Sequence, residues 1–236
     1  MKRRVIKKQI FTLLENPDWK EVERGIRQFA PQQSLHALFT ALCSSNERCK
    51  WHAVSCFGIV VPMMAEDNLE SARVVMRRFL WSLNDESGGI GWGIPEAMGE
   101  VTAESEVLFS EYGHLLLSYM REDGPEILQD GNYLELPALQ QGLIWAIARL
   151  LAVRKKELLS MGVVADLQKY LSSGDRIVRA LTAWCLGKCG SSENLKQISA
   201  LTGDHFPFTL YWENCLQETT VAALASQALQ EIRIQQ

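Results

Sequence analysis

The sequence predicts an all-α fold, an α-solenoid in which about five helical hairpins stack side by side. Three observations carry that expectation. Apolar residues recur at i, i+3, i+4 and i+7 in segment after segment, among them "SLHALFTALC", "ESARVVMRRFLWSL", "LQQGLIWAIARLLAV" and "TTVAALASQALQEI". Strand signals, short runs of alternating apolar and polar side chains, are nearly absent. A small residue returns late in five of the helical segments, at Gly58, Gly99, Ala152, Gly187 and Ser226, with intervals of 41, 53, 35 and 39 residues. Apart from the second, these intervals lie near the period of about 40–47 residues of two-helix repeats.

The elements follow in order. Residues 1–30 are expected to form N-terminal capping helices. The basic start "MKRRVIKK" resembles a secretory n-region, but its apolar segment is brief, charge interrupts it, and no small-residue cleavage site follows. Val5, Ile6, Ile10, Phe11, Leu13 and Leu14 instead make one amphipathic face. First helices of the hairpins are predicted at 33–43, 69–83, 107–121, 163–172 and 194–201, each followed by a second helix. The clearest second helix is "GDRIVRALTAWCLGKCG": Asp175 caps it, Ala180 and Ala183 allow close packing, and Gly187 with Gly190 end it. In the same frame Asn46, Lys50, Ala53 and Gly58 fall into register. One hairpin cannot bury its apolar face alone, so neighbours must stack, and the whole of 1–236 is expected to be a single domain. The long second interval places an inserted loop at 121–137, marked by Gly124-Pro125, Asp130-Gly131 and Pro137. "TGDHFPFTLYW", residues 202–212, is a second interruption, its aromatics expected to pack on the last repeat.

The frame breaks at Trp81–Glu100, "WSLNDESGGIGWGIPEAMGE". Gly88, Gly89, Gly91, Gly93 and Pro95 fall where a second helix should begin. Each glycine in a helix interior costs about 1 kcal/mol and a proline about 3. An irregular loop followed by a helix starting near Pro95 avoids both. Glu96 then lies in the first turn, favourably against the helix dipole, and Glu100 one turn later on the same face, with Ala97, Met98 and Val101 toward the core.

A break in an otherwise consistent pattern marks a candidate functional place. From Phe79 to Met120 there is no Lys or Arg, yet seven acids: Asp85, Glu86, Glu96, Glu100, Glu104, Glu106 and Glu111. Second helices of such solenoids line a concave face. Asp85, Glu86, Glu96 and Glu100 would then gather at its rim, with Trp81 and Trp92 as aromatic edges. That surface suits a basic peptide, an amine or cationic ligand, or a divalent metal. The same residues also admit a plain structural reading, with Trp51, Trp92 and Trp145 as packing between repeats, exposed acids as a solvated face, and Asn84 and Asp85 as the end of the preceding helix.

Bulk properties exclude several classes. The chain has 236 residues, 47% hydrophobic and 22% charged, with formal net charge −4, a globular composition with ample core. No apolar run approaches the roughly 18–20 residues of a membrane span. Cys43, Cys49, Cys56, Cys185, Cys189 and Cys215 form no CxxC pair, and are expected to be small buried side chains in a reducing cytoplasm. Cys185 and Cys189, one turn apart, lack a second pair with zinc spacing. "GGIGWG" follows no strand and precedes no lysine, unlike a phosphate loop. The acidic balance disfavours nucleic acid, the basic N-terminal cluster notwithstanding.

Two resemblances add to this reading. Residues 174–190 resemble the second helix of HEAT-like repeats of the phycocyanobilin-lyase type, D-x-x-V-R-x-A-x-A-x-x-L-G-x-x-G. "LWSLNDESGGIGWGIPEAMGE" is similar to a shared segment of a family of HEAT-like proteins from anaerobic bacteria, sulfate reducers among them. That resemblance implies a HEAT-like fold and assigns no activity. If the segment is the family's common feature, Asn84, Asp85, Glu86, Ser87, Gly88, Gly89, Trp92, Pro95, Glu96 and Glu100 are the candidate site. Gln141, Trp145 and Arg149, on the next second helix, would line the same groove. The expectation is a cytoplasmic, non-enzymatic binding or scaffold module for a basic protein, peptide or cationic ligand, with no cofactor and no bound metal. Alternatives are a lyase or metal-dependent enzyme using the same carboxylates, and DNA-lesion binding.

Overall fold

Polar caps cut the chain into helices where the sequence places them. In the computed structural model, residues 2–84, 90–122 and 132–235 are described. The elements are α1 (Lys2–Leu14), α2 (Trp19–Ile26), α3 (Pro31–Ala41), α4 (Glu47–Asp67), α5 (Leu69–Leu83), α6 (Ile94–Glu104), α7 (Glu106–Ser118), α8 (Pro137–Val153), α9 (Lys155–Ser160), α10 (Val163–Tyr170), α11 (Arg176–Cys189), α12 (Leu195–Ala200), β1 (Pro207–Trp212), β2 (Cys215–Thr220) and α13 (Val221–Ile234). Side chains of Asp18, Asn46, Asn68, Asp175 and Thr220 accept backbone N–H groups at helix starts, satisfying donors that the first turn leaves unpaired. The five expected second helices correspond to α4, α6, α8, α11 and α13, and the first helices to α3, α5, α7, α10 and α12.

Tertiary contacts sort into two compact units, Met1–Gly113 and His114–Gln236. In the first, α4 is the hub, touching α1, α2, α3, α5 and α6. Its Phe57 meets Phe39 at 5.0 Å and Phe79 at 5.1 Å between ring centroids, both edge-on. The His52 ring Nδ1 lies 2.8 Å from the Leu14 carbonyl oxygen, tying α4 to the end of α1. Burial lowers the His52 pKa, against an opposing effect of that carbonyl.

In the second unit α8, α11 and α13 stack in order, with α10 against α11 and α12 against α13. The small anchors are where second helices approach. A Cβ on Gly187 would stand 2.6 Å from the Ala228 Cα, a backbone clash. One on Gly58 would stand 3.1 Å from the Glu100 Cβ. The two positions are equivalent in the repeat frame, and each makes the room its neighbour occupies.

One element departs from the expectation. Residues 207–220 form an antiparallel hairpin, Trp212 paired with Cys215, rather than an irregular stretch. Its two-residue turn puts Glu213 (φ 50°) and Asn214 (φ 61°) in the left-handed region, as tight hairpins of matching twist require. Its aromatics pack on α8 and α11 rather than on the last repeat alone. Trp212 lies edge-on to Trp184 at 4.6 Å and to Trp145 at 6.2 Å, with Lys188 Nζ 4.3 Å and 4.9 Å from the Trp184 and Trp212 ring centres.

Candidate functional site

The break in the repeat frame resolves into a turn and a delayed helix. The Ile94 N–H donates to the Gly91 carbonyl (3.1 Å), and Gly93 takes φ 72°. Only glycine suits Gly93: its φ is left-handed and an added Cβ would reach 3.0 Å from Leu42 Cδ2. At Gly91 a Cβ would meet Leu83 Cδ2 at 2.9 Å and the Ser82 carbonyl oxygen at 3.1 Å, so the loop backbone lies against the end of α5. α6 begins at Ile94 with Pro95 in its first turn, where its missing N–H has no intrahelical acceptor to lose. The start of the helix therefore falls where propensity placed it.

Burial differs from the expectation. Every residue from Ile94 to Ala103 is buried, Glu96 at 4% and Glu100 at 8% exposure. These carboxylates do not rim an open groove. Ala97, Gly99 and Ala103 are small enough for α6 to lie deep against α4 and α5, which draws Glu96 and Glu100 inward with it. Glu100 packs on Gly58 of α4. Glu96 Oε1 stands 3.7 Å from Lys50 Nζ, and the lysine lies over the half-buried Trp51 ring at 5.4 Å. Glu96 Oε2 is buried and accepts no hydrogen bond. Burial raises the Glu96 pKa, and Lys50 offsets part of that rise. A buried carboxylate with one oxygen unmet is an uncommon arrangement in a folded protein.

Just before α6, large apolar side chains stay in solvent: Ile90 is 45% and Trp92 40% exposed. Asn84 closes α5, its N–H donating to the Leu80 and Trp81 carbonyls. Trp81, 76% exposed, lies beside Val74, Arg77 and Arg78 on α5, so among the described residues its charged neighbours are cationic. Asp85, Glu86, Ser87, Gly88 and Gly89 lie outside the described residues. The lysine-free acidic run is also less open than its sequence suggests, since Glu111 is held by a forked contact from Arg73 as Glu96 is by Lys50.

Three further candidates belong to the second unit. Trp145 is buried, its indole N–H donating to the Tyr211 carbonyl (2.5 Å), so it packs and does not line a surface. Gln141 Nε2 donates to Asp175 Oδ1 (3.1 Å), tying α8 to the cap of α11. Arg149 is half-buried on α8. Sequence reasoning missed Lys50 as a site residue. Its signal was present, because Lys50 occupies the place of Arg179 in the frame. Among the described residues no group of three or more His, Cys, Asp or Glu is placed to hold a metal, and none of their helices is long and apolar enough to cross a membrane.

No protein-family model matches the chain, and no curated protein matches it in sequence. Solved structures do resemble it. An engineered protein is 14% identical with a TM-score of 0.50, over 97% of this chain and 98% of that one. Computationally designed armadillo repeat proteins for modular peptide recognition are 17% identical, TM-score 0.45, over 94% and 98% of the two chains. A designed armadillo repeat protein in complex with the peptide (KR)4 is 16% identical, TM-score 0.47, over 95% and 98%. At such identities the likeness concerns fold alone. The chain is an all-α solenoid of stacked helical hairpins.

Proposed function

We propose that this chain is a non-enzymatic binding module with repeats of the HEAT-like kind, and that a basic segment of a protein partner lies across the start of α6. The observation that carries the reading is the exposure of Ile90 and Trp92 at the one place where the repeat frame breaks. Loops on a rigid helical scaffold are where recognition residues concentrate, and exposed aromatics supply contact area and cation–π surface. The poorly satisfied Glu96 in the first turn of α6 supports it, because stability alone gives no reason to keep a buried, half-met carboxylate there. The negative balance of residues 79–120 supplies the sign. Asp85 and Glu86 enter the proposal by sequence alone. On this reading the protein is cytoplasmic and needs no cofactor.

A test is fluorescence titration with lysine- and arginine-rich peptides against uncharged peptides of equal length. Trp92→Ala is expected to weaken binding of the basic peptides about tenfold, the scale of one aromatic contact of 1–2 kcal/mol, while Trp81→Ala leaves it unchanged. Equal affinity for uncharged peptides, or no loss in Trp92→Ala, removes the reading.

A further inference from the structure

A second site stands in the second unit, with chemistry of its own. A cavity of about 450 Å³ lies between the end of α7, the segment before α8, and the turn joining α10 to α11. That volume suits a side chain or a small molecule. Tyr170, 4% exposed, and half-buried Tyr133 form one wall, their ring centroids 6.4 Å apart. The Tyr170 hydroxyl donates to the Met120 carbonyl (3.2 Å), and burial pushes its pKa well up, so it stays a neutral phenol.

Two of the donors on this wall, the Tyr170 hydroxyl and the Gln140 amide, are already used. Gln140, 6% exposed, spends its amide nitrogen on Tyr133 Oη (3.0 Å) and the Leu134 carbonyl (2.8 Å). Beyond hydroxyls, which rotate and can accept as well as donate, the cavity leaves over acceptors. Among the described residues Gln140 Oε1 accepts no hydrogen bond, and exposed Glu122 and Glu135 have no ion pair. Asp175 uses only Oδ1, toward the Val178 N–H (2.8 Å) and Gln141 (3.1 Å). The nearby arginines already have partners, Arg121 in Asp166 (2.8 Å) and Arg179 in the Ser173 carbonyl of the lining (2.6 Å). Three carboxylates thus face one lysine, Lys169, around an aromatic wall. The acceptors come from separate segments rather than one plane, which favours the rotatable N–H donors of an ammonium over a flat guanidinium fork. Alkyl carbons would rest on the tyrosine rings.

We infer that this cavity binds an alkylammonium group, either a lysine side chain of a peptide or a free diamine. It is independent of the site at α6. The test uses the full chain, calorimetry at fixed ionic strength, and three probes: an end-blocked lysine peptide, the same peptide with its side chain acetylated, and 1,4-diaminobutane. Saturable binding of the lysine peptide, the diamine or both is expected, and the arm that binds tells which source the site takes. Glu122→Gln with Glu135→Gln, both on exposed side chains and so compatible with folding, is expected to weaken binding about tenfold. Lys169→Gln is expected to tighten it severalfold by removing repulsion, an effect no purely structural role produces. Trp92→Ala leaves it unchanged, which separates its failure from that of the α6 reading. Binding of the acetylated peptide as tight as the lysine peptide, indifference to all three substitutions, or no saturable binding of either amine at millimolar concentration overturns the inference.

Discussion

Lys50 in the first unit and Arg179 in the second hold the same place on equivalent helices, four residues past a capping Asn46 or Asp175, yet they are satisfied differently. Arg179 donates to the Ser173 and Gly174 carbonyls and reaches Asp204 at 3.9 Å, while Asp204 also has Arg176 at 3.6 Å and is 23% exposed in its side chain. Lys50 reaches one carboxylate among the described residues, Glu96 at 3.7 Å, and that carboxylate is 5% exposed with one oxygen unmet. In both units a cation ties one repeat to the next. Only in the first is the carboxylate sunk where water cannot complete it. The difference separates a joint built for stability from one that carries an unmet demand, and the unmet one lies beside the glycine break.

Removing each cation in turn separates the two joints. Lys50→Met leaves a buried charge unpaired and is expected to lose about 3 kcal/mol in denaturant unfolding, whereas Arg179→Met, with a water-exposed partner, loses about 1. Glu96→Gln is expected near neutral or stabilising, because burial already disfavours the ionised form. Equal losses at the two lysine and arginine sites would erase the distinction. The helix joints come next. Gly187→Ala drives a methyl into the Ala228 backbone and is expected to cost about 2 kcal/mol. Gly58→Ala meets the Glu100 Cβ at 3.1 Å and its carbonyl oxygen at 3.3 Å, a milder contact that a shift of a few tenths of an ångström relieves, and gains helix propensity, so it is expected within about 1 kcal/mol of the parent.

The smallest effect is in pH. Burial depresses the folded-state pKa of His52, so the unfolded chain takes up a proton that the folded chain resists. Stability is full above the ordinary histidine value and is lost as pH falls through about 6.5 toward the folded value. His52→Gln is expected to flatten that loss between pH 7 and 5. The raised pKa of Glu96 acts with the opposite sign: as pH falls through its folded-state value, above the usual 4.5, the folded chain binds the proton first and gains stability. A slope unchanged by His52→Gln would show that the ring near Leu14 is not the group responsible.

How much of this was legible in the sequence depends on the range of the forces involved. Caps and breaks are local, so Asp175, Asn46 and the α6 start at Gly93 and Pro95 were readable from composition alone. The anchors Gly58 and Gly187 were readable as a period, though not as contacts. The burial of Glu96 was not readable: it depends on how deeply the small residues of α6 let it settle against α4, and Lys50 lies on another helix. The hairpin at 207–220 escaped because its strands are six residues long and its turn uses Glu213 and Asn214, where glycine would have given a clear signal. Asp85–Gly89, central to the expected groove, lie outside the described residues.

That hairpin also constrains how the array can change length. Repeat proteins ordinarily grow or shrink by whole hairpins, since each contacts only its neighbours. Here Trp212, from the segment before α13, reaches back to Trp184 on α11 and Trp145 on α8, and Trp145 donates to the Tyr211 carbonyl. Duplicating a repeat between α8 and α11 would separate these indoles and strand the Trp145 N–H. The last three repeats are thus clasped into a block of fixed size, and tryptophan emission from a lengthened variant, red-shifted if the clasp opens, would report it.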